Sequence, residues 1–196
     1  MNESARMIVV LTVIAMVSGG LLAAVYDWTS GVIAENQLKE MESAVFAVLP
    51  GAVRIELLDR GPAELVEDDP KASKETKQAA NQVFVGYNEQ GAPVGYAFVG
   101  EGNGYGGIIR IMVGVSEAEG KILNLTVLSH SETPGLGSRI EDAGFRNQFV
   151  GKTLSDPIAV GRDINALSGA TISSRAVTEA VRRGLEQASA VYERSR

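Results

Sequence analysis

The sequence contains no cysteine and only one histidine, His130. Without cysteine the chain cannot ligate an iron–sulfur cluster, form a disulfide or use a thiol nucleophile. A single histidine without a G-x-S-x-G motif gives little support to a serine-hydrolase triad. No cluster of histidine, cysteine and closely spaced carboxylates appears, as a metal site would require. We therefore assign no catalytic residue and no metal ligand from the sequence.

Basic residues are also few relative to acidic ones. Lysine and arginine number 18 against 24 aspartates and glutamates, which gives a formal net charge of −6. An acidic chain without a basic face repels the phosphate backbone, so no nucleic-acid partner is expected. The length of 196 residues and the hydrophobic content of 45% suit one membrane-anchored domain.

The longest uncharged run covers residues 7–26. At ~1.5 Å per residue, such a helix is about 30 Å long and spans a bilayer core. A cleaved signal peptide is the alternative, but the run exceeds the usual apolar region and no clear A-x-A site follows. Arg6 precedes the run, Asp27 follows it, and the next basic residue is Lys39. This asymmetry predicts residues 1–6 in the cytoplasm and the rest outside it.

Residues 27–80 are expected to form an amphipathic helix and a connecting segment. The helix is predicted over residues 32–49, because its apolar positions have helical spacing and Pro50-Gly51 ends the pattern. A short strand is expected at residues 54–58, and residues 61–76 are predicted to be an exposed acidic loop.

The remaining residues, 81–196, are predicted to be the core of one domain. β-rich runs at 83–87 and 95–99, and again at 108–115 and 122–128, are separated by turn compositions and predict two antiparallel hairpins. With helices before and after the strands, the predicted fold class is α+β, a transmembrane helix followed by one domain with an antiparallel sheet flanked by helices. The glycines of 102–107 match G-x-G-x-x-G, but a strand follows them, so we reject a dinucleotide site and expect a bend at the sheet edge.

A stretch of small and hydroxyl residues, 168–174, precedes a long segment with helical periodicity. It should therefore open the C-terminal helix, whose first amides lack internal partners. Two readings remain open: Ser168 or Thr171 caps the helix, or the small Gly169 and Ala170 leave the amides open to an anion.

A second stretch, 130–137, follows the last predicted strand. Pro134-Gly135 has the residue types of a type II turn, and such a loop can lie flat against a planar ring. Ser138 and Glu141 form a capping-box pattern, which predicts a helix running through Phe145 and Phe149. From these residues alone, a tight connection is the simpler interpretation.

Both stretches resemble motifs of one family. The residues S-G-A-T-x-S-S and, in the same order before them, E-T-P-G-L-G resemble the FMN-binding subunits of the Rnf and Na⁺-translocating NADH:quinone reductase complexes. The resemblance implies that Thr171 is esterified to the phosphate of a covalent FMN. Asn165 departs from the family, where that position is often acidic. The other positions that the resemblance places around the cofactor are Ser168, Gly169, Ala170, Ser174, Glu132, Thr133, Gly135, Leu136 and Gly137.

The length favours the Rnf G subunit over the longer reductase C subunit. By resemblance, the chain is an electron carrier in an ion-translocating ferredoxin:NAD⁺ oxidoreductase of a bacterial or archaeal cytoplasmic membrane, with its FMN domain on the extracytoplasmic side. Its implied partners are the complex's other integral-membrane and redox subunits and, during maturation, a flavin transferase. The alternatives are a membrane-anchored assembly or binding subunit without redox activity, or a flavin domain of another membrane reductase.

Overall fold

The computed structural model describes residues 3–58 and 82–195. The chain divides into two compact units, Met1–Met41 and Glu42–Arg196. The predicted acidic loop at 61–76, and the expected domain boundary between residues 80 and 81, lie outside the described residues.

One helix, α1, covers Glu3–Val48. Its segment Arg6–Tyr26 is long and apolar enough to cross a membrane, with a mean hydropathy of 2.6. The sequence predicts a separate helix over 32–49, but the structure has no break before it. From residue 27 to residue 48 there is no proline and only one glycine, so nothing in that stretch interrupts the helix.

The C-terminal end of α1 is where the sequence predicts it. The helix stops at Val48, just before Pro50, and Gly51 follows with a φ of +91°. Of the predicted apolar stripe, Val45, Val48 and Leu49 are fully buried. They belong to the second unit, and they cover part of one face of its sheet, since the carbonyl of Val48 lies against Gly114.

The sheet has five antiparallel strands in sequential order. The predicted hairpins are confirmed, but the third strand runs four residues further than expected, so Gly102 is part of a strand rather than a bend. The strands are β1 (Arg54–Leu58), β2 (Val83–Tyr87), β3 (Pro93–Asn103), β4 (Ile108–Ser116) and β5 (Ile122–Ser129).

Between β5 and the C-terminal helix the chain forms short helical turns and an isolated parallel β-bridge between Val160 and Ile164. A 3-10 helix, η1, covers Gly137–Glu141, and α2 covers Ala143–Arg146. The capping-box prediction is wrong, because the Ser138 hydroxyl accepts a hydrogen bond from the Gly135 amide at 2.9 Å instead of capping a helix. Extended backbone at Asp142 separates η1 from α2. Phe145 and Phe149 are nevertheless buried and pack edge to face.

The C-terminal helix, α3, covers Thr171–Ser195, as the spacing predicts. It lies directly on β3 because glycines remove the side chains between them. A Cβ atom on Gly102 would lie 2.2 Å from the carbonyl oxygen of Ala176, and one on Gly184 would lie 2.3 Å from the Phe98 ring. The apolar stripe of α3 is buried against the sheet, at Val177, Val181, Leu185, Ala188 and Tyr192.

Aromatic contacts fix the far end of α3. The rings of Tyr96 on β3 and Tyr192 stack with centroids 4.7 Å apart, and the Tyr192 hydroxyl donates to Glu117. Burial raises the pKa of Tyr96 to about 12. The helix is thus anchored at its C-terminal end by stacked rings and along its length by glycine contacts, which fixes where its N-terminus lies.

We expect Gly102→Ala to lower the free energy of unfolding by about 1–3 kcal/mol, because the added methyl group would press against the helix backbone, which cannot move aside like a side chain. Gly144→Ala is the control, since an added Cβ there meets no atom within 4 Å. Urea unfolding of the detergent-solubilised chain, followed by circular dichroism, measures both. Equal stabilities for the two variants would contradict the close packing of α3 on β3.

Candidate functional site

The first component of the site is the turn formed by residues 133–136. Its Leu136 amide donates to the Thr133 carbonyl at 3.2 Å, and Gly135 has a φ of +74°. A four-residue turn in which only the third residue has a positive φ is of type II, as the residue types predict. The Ser138 amide donates to the same Thr133 oxygen at 3.2 Å, so this carbonyl accepts two hydrogen bonds that stabilise the turn.

The second component is a turn of the same type at residues 167–170. The Ala170 amide donates to the Leu167 carbonyl at 3.0 Å, and Gly169 has a φ of +79°. The two turns touch, since a Cβ atom on Gly169 would lie 2.9 Å from Cδ1 of Leu136. Gly169 is therefore required both for its backbone conformation and for the contact.

The N-terminus of α3 follows the second turn directly. Ala170 precedes the first helical residue and accepts the first helical hydrogen bond, from the Ser174 amide at 3.0 Å. The buried Ser174 hydroxyl accepts from the Leu167 amide at 3.0 Å and donates to the Ala170 carbonyl at 2.9 Å. Ser174 thus fastens the turn to the helix.

Neither Ser168 nor Thr171 caps α3. Both are exposed, and neither hydroxyl has a hydrogen-bond partner within residues 3–58 and 82–195. The capping interpretation is therefore wrong for both residues. In the same described part of the chain, the amides of Thr171, Ile172 and Ser173 have no backbone acceptor. The helix presents an unpaired hydroxyl beside three unpaired amides, at the positive end of its dipole.

A buried carboxylate connects the two turns to a third loop. Glu132 is 6% exposed. Its Oε2 accepts from the Ser173 hydroxyl at 2.6 Å, and its Oε1 accepts from the Gly106 amide at 2.9 Å. Since a buried carboxylate is costly unless hydrogen-bonded, these donors hold it in place. We call the arrangement of Glu132, Ser173 and Gly106 the carboxylate clasp.

Glycines on three sides make room for the clasp. Added Cβ atoms on Gly104 and Gly137 would lie 2.2 Å and 2.4 Å from the carboxylate oxygens of Glu132, and one on Gly106 would lie 2.0 Å from the Ser131 carbonyl. Gly104 and Gly107 also close the β3–β4 hairpin, through a hydrogen bond of 2.8 Å. The glycines at 104–107 therefore pack against the stretch that begins at Ser131.

Comparison with known proteins assigns this region to a family. The FMN-binding domain family matches residues 104–186, which include both turns, the clasp and the start of α3. The G subunit of the proton-translocating ferredoxin:NAD(+) oxidoreductase complex of Clostridium ljungdahlii is 33% identical, over 90% of this chain and 87% of its own length. The G subunit of an ion-translocating oxidoreductase complex of Methanosarcina acetivorans is 32% identical over 96% of both chains.

The chain belongs to the family of G subunits of ion-translocating oxidoreductase (Rnf) complexes. The G subunit of the complex of Cereibacter sphaeroides, 36% identical over 89% of this chain and 80% of its own length, agrees with this assignment. The chain is thus part of a membrane-associated complex of several subunits and carries an FMN-binding domain. The resemblance found in the sequence is confirmed.

Solved structures share the fold. NqrC of Shewanella oneidensis superposes with a TM-score of 0.57 at 20% identity, covering 80% of this chain and 99% of its own. The C subunit of the Na(+)-translocating NADH-quinone reductase of Parabacteroides distasonis gives a TM-score of 0.56 at 18% identity, covering 80% of this chain and 94% of its own. At these identities the likeness concerns the fold alone.

The ten residues predicted to surround the cofactor separate into two layers. Those of the outer layer are exposed and those of the inner layer are buried beneath them. The exposed residues are Thr133, Gly135, Leu136, Ser168, Gly169 and Thr171, and the buried ones are Glu132, Gly137, Ala170 and Ser174. The structure brings all of them to one region, and it gives the two inner polar side chains, Glu132 and Ser174, protein partners.

Sequence reasoning missed the residues that complete the clasp. Ser173 lies within the recognised motif, but its Glu132 partner is 41 positions away, so no local pattern identifies the pair. The Gly106 contact is equally hidden, and the glycine run at 102–107 was the one available signal. His130 accepts from the Glu132 amide through Nδ1 and lies 3.1 Å from Glu141 through Nε2, so it stabilises the loop.

Ser174→Ala should lower the free energy of unfolding by about 1–3 kcal/mol, because it leaves the half-buried Leu167 amide without an acceptor. Ser168→Ala, from the same motif, removes an exposed hydroxyl without a partner in the described structure and should change stability by less than about 0.5 kcal/mol. Urea unfolding of both variants in detergent provides the comparison. A larger loss from Ser168→Ala would contradict the roles given to these two serines.

Proposed function

We propose that the chain relays electrons through an FMN esterified to Thr171, as one carrier of an ion-translocating ferredoxin:NAD⁺ oxidoreductase. The observation that carries the proposal is the exposed Thr171 hydroxyl, which has no hydrogen-bond partner among the described residues and opens a helix of 25 residues. A structural role would give that hydroxyl an acceptor or a donor. Its position instead suits a group that is to be modified.

The first amides of α3 suit a phosphodiester. An esterified phosphate keeps about one negative charge, and an anion at a helix N-terminus is stabilised by about 0.3–1 kcal/mol. The amides of Thr171, Ile172 and Ser173 have no backbone acceptor within the described chain. They can therefore donate to phosphate oxygens without the loss of an existing hydrogen bond.

Attachment exchanges a phosphoanhydride bond for a phosphate ester bond. The Thr171 oxygen forms a bond to the FMN phosphorus of FAD, the bond between the two phosphates of FAD breaks, and AMP leaves. The hydroxyl proton passes to a base of the flavin transferase that catalyses the exchange. The reaction needs an accessible hydroxyl, and Thr171 lies at the surface.

Apolar side chains around Thr171 suit a flat aromatic ring. Tyr105, Leu136 and Ile172 are 75%, 45% and 54% exposed, which is a high exposure for large hydrophobic residues. Each is next to a residue of the clasp or of the two touching turns, so all three belong to the same region. They would hold the isoalloxazine against the two turns, where ring burial stabilises it.

The bound FMN supplies the redox chemistry, whereas the protein positions it and surrounds it with hydrogen-bond donors. A protein with only this role needs no catalytic side chain of its own. The chain lacks cysteine, and its one histidine contacts the Glu132 amide and the Glu141 side chain. Ion translocation and nicotinamide chemistry then belong to the integral-membrane and redox subunits with which the chain assembles.

We also propose an orientation in a bacterial or archaeal cytoplasmic membrane. The N-terminus lies in the cytoplasm, and the FMN domain lies on the extracytoplasmic side. Arg6 lies before the apolar span and Asp27 after it, as the positive-inside rule expects for this orientation. Outside the cytoplasm the domain has no access to the cytoplasmic flavin pool, so a covalent bond replaces an affinity that would have to retain a diffusible cofactor.

Thr171→Ala should abolish covalent flavin, because no other hydroxyl can take its position at the first residue of α3. Ser168→Ala, which removes a nearby exposed hydroxyl, should retain the flavin. In-gel fluorescence of the denatured chain from its native host, with mass spectrometry of the peptide containing residue 171, measures both. An unmodified Thr171 in natively matured protein, or a fluorescent Thr171→Ala band, would disprove attachment at this residue.

The absence of native cysteine allows a direct test of topology. Ser155→Cys introduces a thiol at an exposed position of the FMN-binding domain, and Ser4→Cys introduces one before the apolar span. In intact cells, freed of any outer membrane, a membrane-impermeant maleimide should label Ser155→Cys and leave Ser4→Cys unlabelled until the cells are lysed. Labelling of the two positions in the reverse order would overturn the proposed orientation.

A further inference from the structure

We propose that Glu132 is a positioning residue that sets the attachment threonine at a fixed place relative to the loops around it. The inference rests on the proposed attachment of FMN at Thr171. It assigns to Glu132 a role beneath the site, exerted through Ser173 and Gly106, in place of contact with the cofactor.

The geometry of the clasp supports this role. Each carboxylate oxygen of Glu132 accepts one hydrogen bond, Oε2 from the Ser173 hydroxyl at 2.6 Å and Oε1 from the Gly106 amide at 2.9 Å. Ser173 is two residues after Thr171, in the first turn of α3, whereas Gly106 directly follows Tyr105 at the tip of the β3–β4 hairpin. One buried group therefore connects the helix that presents the hydroxyl to the loop that presents the exposed ring.

The third connection is covalent. Glu132 immediately precedes Thr133, the first residue of the turn that contacts Gly169 through Leu136. The carboxylate thus lies where three segments meet, and only 6% of the residue is exposed. Its burial leaves little surface for contact with a cofactor, but it lets the clasp hold the overlying segments together.

The charge and the geometry of Glu132 can be separated by substitution. Glutamine has the same shape: its oxygen can accept from the Gly106 amide, and its NH₂ group can donate to the Ser173 oxygen, because a hydroxyl both donates and accepts. Alanine removes both hydrogen bonds. A positioning role predicts that Glu132→Gln retains function and that Glu132→Ala loses it.

The test uses the purified, unmodified chain in detergent, with FAD and a flavin transferase. Mass spectrometry of the intact protein measures the rate at which the chain gains FMN. We expect Glu132→Ala to react at least about tenfold more slowly than the natural chain and Glu132→Gln within about threefold of it, because alanine removes both buried hydrogen bonds and glutamine can keep both. Glu89→Ala, which removes an exposed carboxylate from the turn between β2 and β3, should react at the natural rate.

A second readout does not depend on the flavin. Hydrogen exchange of the Gly106 amide in the unmodified chain should be at least about tenfold faster in Glu132→Ala than in the natural chain or in Glu132→Gln, because that amide loses its acceptor. If Glu132→Ala does not fold, Ser173→Ala replaces it, because it breaks one of the two hydrogen bonds and should also slow attachment.

The outcomes distinguish a failure of FMN attachment at Thr171 from a failure of the positioning role of Glu132. A natural chain that gains no FMN overturns the attachment itself and, with it, this assignment. Attachment to Glu132→Ala at the natural rate, or a Glu132→Gln variant as slow as Glu132→Ala, overturns the positioning role alone. Unchanged Gly106 exchange in Glu132→Ala does so as well.

Discussion

The site depends on a carboxylate that is buried without a cationic partner in the described structure. A carboxylate in such a place is stable only if donors replace the water it has lost, and Glu132 obtains them from two segments far apart in sequence. The same requirement explains the glycines around it, because a Cβ atom on Gly104 or Gly137 would occupy the space of the carboxylate oxygens. The glycines in two loops therefore follow from one buried group.

The sheet determines where that group can act. Gly100 and Gly102 let the backbone of α3 lie against β3, and Gly184 accommodates the Phe98 ring, so the helix has little freedom to slide. With its C-terminal end held by the stacked Tyr96 and Tyr192, its N-terminus must lie beside the β3–β4 hairpin. The packing of the core thus brings Ser173 to Glu132, and the clasp stabilises an arrangement that the core already favours.

Sequence reasoning succeeded where the signal is local and periodic. The alternation of the strands, the spacing of Val177, Val181 and Leu185, and the Pro134-Gly135 turn were all recognisable, because each depends on neighbouring residues. It failed where a side chain had two possible partners. The Ser138 hydroxyl could cap a helix or close a turn, and only the fold decides for the turn.

The three serines of the motif illustrate the same limit. Ser168 is exposed, Ser173 is buried against a carboxylate 41 positions away, and Ser174 bonds the backbone of its own turn. Nothing in the letters of the motif separates these roles, since all three have the same side chain. Ser168 lies in the turn before α3, whereas the partners of Ser173 and Ser174 depend on how the start of α3 packs, a property of tertiary structure.

The outer layer of the site also gives a physical reason for a covalent bond. Six of the ten predicted residues are exposed, five of them in the two touching turns and Thr171 at the start of α3. Non-covalent affinity for a planar ring grows with the apolar area buried on binding, and a surface site buries less of a ligand than an enclosed pocket does. Under the proposed attachment, an ester at Thr171 makes retention independent of that area, so the ring can remain accessible to redox partners. The open site lets redox partners approach the ring, and the covalent bond keeps the ring in place although the site buries little of it.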